Sequence, residues 1–168
     1  VAEIRALLAG IMNNYMGRTL NAKELVDIES AVIETYKEKG ITQDKDSLYE
    51  KNAGEVNGKI TLNKIKKKMP TLTDFQRILA TKKNSKELAE ILTGFLKGKS
   101  LGIFDCISTV NTNDQLLEFD LSEISDEVTK FYANLVITTW ILEKYMKKNA
   151  KYPRKAVHID EAWTIIKY

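Results

Sequence analysis

VHIDEAW at residues 157–163 sets two adjacent carboxylates, Asp160 and Glu161, directly behind a short apolar run. At the C-terminal edge of a strand such a pair can divide two tasks of nucleotide hydrolysis. The first carboxylate holds Mg²⁺, often through its water shell, and the second orients and deprotonates the attacking water. Neighbouring strand residues point to opposite faces, so Asp160 and Glu161 can take separate roles. Acids also suit the first turn of a helix, where the dipole favours negative charge. The apolar run before the pair, the strand–helix–strand pattern around it and Ala162-Trp163 behind it favour the hydrolytic reading.

Other chemistry-bearing residues read more plainly. Gly98-Lys99-Ser100 ends like a phosphate-binding loop, but residue 93 is Thr where that motif needs Gly, and the segment follows a helix rather than a strand. It reads as a helix C-cap. His158 shares a strand face with Asp160 and reads as a hydrogen-bonded structural histidine. Cys106 reads as a small buried apolar residue, with no motif that would activate a thiolate, and Trp140 and Trp163 fall on apolar faces as packing residues. Lys64, Lys66, Lys67 and Lys68 form a basic run without interleaved aromatics, which reads as a solvated loop with nucleic-acid phosphates or anionic lipid as the functional alternatives.

The elements that must position these residues follow from periodicity. Ile4, Leu7, Leu8, Ile11, Met12 and Tyr15 recur at helical spacing over residues 2–16, and Gly17 can end that helix. Asn21 and Glu24 form a capping-box pattern ahead of Leu25, Ile28, Val32 and Tyr36, closed by Gly40, and the short connection predicts an antiparallel pair. Periodicity lapses over residues 42–69, where Asn52, Gly54, Asn57 and Gly58 suggest a mobile loop. Thr71 can cap a helix carrying Phe75, Ile78 and Leu79, and Asn84 with Glu87 another running to Gly98. Beyond it, residues 103–105, 115–121 and 155–160 carry strand signals. Between the last two lies a broad-faced helix from Ile124 to Tyr145, capped by Ser122 or Ser125, which predicts a right-handed βαβ unit.

Composition sets the outer bounds. The chain has 168 residues, 43% hydrophobic and 29% charged, which excludes a disordered, collagen-like or coiled-coil chain. A net charge of +3 does not diagnose nucleic-acid or membrane binding. One cysteine and one histidine exclude a disulfide scaffold and disfavour a zinc site, pointing to a reducing, cytoplasmic setting. No apolar run nears the roughly 20 residues of a membrane span, and no signal-peptide layout opens the chain. It begins at Val1 inside a helical pattern and stops at Tyr168 after a strand pattern, which reads as a piece of a larger protein.

The order LTGFLKGKSLGIFD, polar turn, LLEFDLSEI, long apolar helix and RKAVHIDEAWTIIK, with MPTLTDF at residues 69–75, resembles the C-terminal motor domain of the TraC/TraE class of type IV secretion and conjugation ATPases. The resemblance is strongest from Leu92 onward. It implies an α/β fold: an all-α insertion over residues 1–98 with its loop at 42–69, then a partial RecA-like core over 99–168 ending in the Walker B strand. By this likeness Asp160 matches the Walker B residue for Mg-ATP, Glu161 the catalytic glutamate, and Trp163 the aromatic of the DEAW signature. Walker A is expected upstream and the residues that complete a site between subunits downstream, so the piece alone should not hydrolyse ATP. The resemblance further implies a hexameric homo-oligomer at the inner face of the cell membrane, partnered by inner-membrane channel components, with DNA as a further partner. A helical protein-interaction module and a DNA-translocating motor of the HerA/FtsK kind are the alternatives.

Overall fold

Asn21 opens the second helix as its sequence demands. Its side chain accepts from the Lys23 and Glu24 N–H groups at 2.9 and 3.0 Å, and Glu24 returns a bond to the Asn21 N–H at 2.8 Å. The computed structural model describes residues 2–56, 59–107, 116–146 and 156–160. Within them lie α1 (Ala2–Met16), α2 (Ala22–Glu38), β1 (Tyr49–Val56), β2 (Lys59–Lys66), α3 (Leu72–Leu79), α4 (Lys86–Leu92) and α5 (Glu127–Trp140), the last running into a π-helical stretch, Ile141–Met146. The protein is therefore mostly helical with a small two-stranded antiparallel sheet. It falls into two units, Thr19–Ser108 and Ala2–Arg18 with Thr109–Tyr168.

In the first unit α2 ends where Gly40 adopts φ +66°. The Ile41 N–H reaches back to the Tyr36 carbonyl at 3.0 Å and the Gly40 N–H to Lys37 at 2.8 Å, which satisfies carbonyls the helix leaves open. The core joins Ile28, Ala31 and Val32 of α2 to Phe75, Ile78 and Leu79 of α3, then Leu88, Ala89 and Leu92 of α4 and Phe95 beyond it, all buried. Each large side chain so buried contributes about 1.5–3 kcal/mol, set against the entropy of ordering the chain.

In the second unit α1 packs on α5. A Cβ added at Gly10 would stand 3.6 Å from Leu135 and 3.8 Å from Phe131, so the glycine brings the two helices close. Leu8, Ile11 and Met12 of α1 and Tyr132 and Ala133 of α5 are buried. Phe119 meets Trp140 edge to face, with ring centroids 5.8 Å apart.

Several expectations are corrected here. Residues 42–69, expected as a mobile loop, hold a 3₁₀ turn (Lys45–Leu48) and the β1–β2 hairpin. Register pairs Val56 with Lys59, so Asn57-Gly58, the dipeptide most typical of a two-residue hairpin connection, separates the strands. Residues 103–105 are not a strand: Gly102–Phe104 is a 3₁₀ turn whose backbone bonds are local, Gly102 N–H to Lys99 at 3.1 Å and Asp105 N–H to Gly102 at 3.2 Å. Residues 116–121 and 156–160 form no strand either; strand formation depends on neighbours to pair and pack with, and none pairs with these segments among the described residues. No βαβ unit and no RecA-like core is seen among the described residues.

Smaller corrections concern helix starts and grouping. Ser85, not Asn84, stands at the N-cap of α4, because the Asn84 N–H and side-chain amide are both held by Asp27. Asp126, not Ser122 or Ser125, caps α5, accepting from the Thr129 N–H at 2.7 Å and its hydroxyl at 2.6 Å. The first helix groups with α5 in the second unit.

Candidate functional site

The sequence placed catalysis at Asp160 and Glu161. Residues 156–160 form an exposed segment without regular structure, and Asp160 sits at its end in a turn. His158, expected beside it on a strand, is exposed on the same segment. Glu161 and Trp163 lie outside the described residues, as does the first position of the expected strand, Lys155. Gly98 takes φ +83° in the turn after Phe95, which fits a chain reversal and not a phosphate cradle. Cys106, expected as a buried apolar residue, is instead an exposed free thiol in the turn after Phe104. Trp140 is a packing residue, as its face predicts, against Phe119.

Polar groups converge in the first unit, at places the sequence did not single out. Asp105 is 3% exposed and accepts from the Thr73 N–H at 3.0 Å, the Lys97 N–H at 2.8 Å and the Thr73 hydroxyl. Burial pushes its carboxyl up, but the Thr73 hydroxyl and the two N–H donors, with a further bond from Thr71, outweigh it and hold the group below the ordinary carboxylate value. The start of α3, the turn at Lys97 and the 3₁₀ turn at Gly102 are thereby pinned to one buried anion. Its only sequence signal is an acid among apolar residues in GIFDC.

A second set ties α2 to α3 and α4. Asp27 accepts from the Asn84 N–H at 3.0 Å and from the Ser85 hydroxyl at 3.2 Å. Lys39 pairs with Asp74 at 3.0 Å, Lys82 with Glu34 at 2.6 Å, and Arg77 with Glu38. The Asp74 carboxyl is lowered chiefly by the Thr71 N–H, against an opposing push from burial, with Lys39 adding to the lowering. Glu34 is lowered by its bonds from Lys82 and then Ser30. These are clamps between helices, with donors matched to acceptors. Among the described residues no side-chain nitrogen or oxygen is buried without a partner, and no three His, Cys, Asp or Glu gather as a metal site.

The chain matches no protein-family model, no curated protein and no solved structure. What the arrangement can do is therefore argued from its own residues. On α2, Val26, Glu29, Ser30, Ile33 and Glu34 line a shallow open depression, with Val26 67% and Ile33 54% exposed. Glu29, Ser30 and Glu34 are its polar members, Glu34 held by Lys82 at 2.6 Å. The basic run predicted as loop is in place at the root of the hairpin: Lys66 and Lys68 are exposed, while Lys67 donates to the Gly40 carbonyl at 2.7 Å and so ties the hairpin to the end of α2. Among the described residues no helix is long and apolar enough to cross a membrane.

Proposed function

We propose that this chain is part of a motor ATPase of the TraC/TraE class, one that powers assembly of a type IV secretion or conjugation channel, or transfer through it, by ATP hydrolysis. The observation that carries the reading is the acidic pair of VHIDEAW, which in the sequence follows α5, a helix whose apolar residues cover more than one stripe. Residues 134–141 of α5 and its π-helical continuation are all only half-buried with α1 as the packed neighbour. A helix with so broad an apolar face is one built to be covered on more than one side, as between a sheet and a neighbouring helix. Strand sequences on either side of it, at 115–121 and 155–160, supply the matching pattern.

Asp160 offers a hard, exposed carboxylate, the donor type that Mg²⁺ takes together with its waters. Mg²⁺ arriving with ATP would offset charge on the β- and γ-phosphate oxygens. Asp160 would hold that ion through its water shell, and Glu161 would orient the attacking water and accept its proton. In this reading the protein acts as a homo-oligomer at the inner face of the membrane, against inner-membrane channel components, and residues outside this chain supply the phosphate cradle.

The exposed Val26 and Ile33 on α2 favour a second reading, a helical protein-interaction module in which the acidic pair is structural. ATP turnover by the intact protein that carries this sequence separates the two. With Glu161→Gln, nucleotide binding persists and turnover falls on the order of 10²–10⁴-fold. Unchanged turnover would remove Glu161 from the mechanism, and an intact protein that binds no nucleotide would leave the interaction module standing.

A further inference from the structure

We draw no further inference here: the strongest candidate, the shallow open depression on α2 where Val26 and Ile33 stand exposed beside Glu29 and Glu34, carries nothing, because Lys82 already occupies Glu34 and nothing in the structure shows what covers the apolar face.

Discussion

Replacing Asp105 tests whether one buried anion holds the first unit together. Asp105→Ala removes the acceptor for two backbone donors, the Thr73 and Lys97 N–H groups, and for the Thr73 hydroxyl. Hydrogen bonds to a charged group contribute about 1.5–3 kcal/mol each, and water entering the gap recovers part of that, so the net loss is about 3–5 kcal/mol. Against a typical stability of about 5–15 kcal/mol this is a large share. For a cooperative unit of this size the melting temperature should fall on the order of 20 °C. Asp105→Asn keeps one oxygen but turns an N–H₂ toward a donor, for a loss of about 2 kcal/mol. Thr73→Val removes the hydroxyl alone and costs about 1 kcal/mol, and Asp105→Asn/Thr73→Val should lose less than the two single changes together. Urea unfolding followed by far-UV circular dichroism supplies all four values. Because the folded carboxyl lies below its ordinary value, its stabilisation is present above an unfolded pKa of about 3.9 and is lost as pH falls through the folded value. The acid limb of the stability curve should therefore be shallower in Asp105→Asn. An Asp105→Asn protein with unchanged urea midpoint and unchanged acid limb would refute the pinning argument.

Two further substitutions probe the backbone directly. A Cβ at Gly102 would stand 2.1 Å from the Leu96 carbonyl oxygen, so Gly102→Ala should cost roughly 2–4 kcal/mol and lower the urea midpoint well beyond that of any exposed substitution. Asn21→Ala removes the acceptor for two N–H groups at the start of α2 and should cost about 1 kcal/mol, with Asn21→Ser restoring most of it in the same unfolding assay.

Local signals in the sequence were read well where the chain satisfies its own backbone. Asn21 with Glu24, and glycines at positive φ at 17, 40 and 98, all act within a few residues of themselves, so spacing is sufficient to find them. Signals that depend on distant partners were not legible. Asp27 takes Asn84 out of its capping role from 57 residues away, and Asp105 takes the α3 N–H from 32 residues away. The hairpin was missed for a related reason. Its strands lack the alternation of a half-buried sheet, and Asn57-Gly58 was weighed as loop composition instead of as a two-residue connection between strands of equal length.

The candidate site follows the same division between self-sufficient and partner-dependent structure. Along residues 116–121 burial still alternates, with Leu117, Phe119 and Leu121 half-buried and Leu116, Glu118 and Asp120 exposed, as a strand's would, although no ladder forms among the described residues. A period of two in burial without hydrogen-bonded neighbours is what strand-competent sequence shows when pairing is absent, since pleat and side-chain alternation are set by the chain and the ladder by its partner. The half-buried apolar surface around α5 points the same way. The first unit has a closed core and matched polar groups, so the Asp105 pin can be tested on it as it stands. In the proposed reading the carboxylates of VHIDEAW act only where a sheet edge positions them. For that reason Glu161→Gln is informative in the intact protein, where turnover and binding are read together, and a structural assay on that segment alone would not discriminate a catalytic base from an ordinary helix-starting acid.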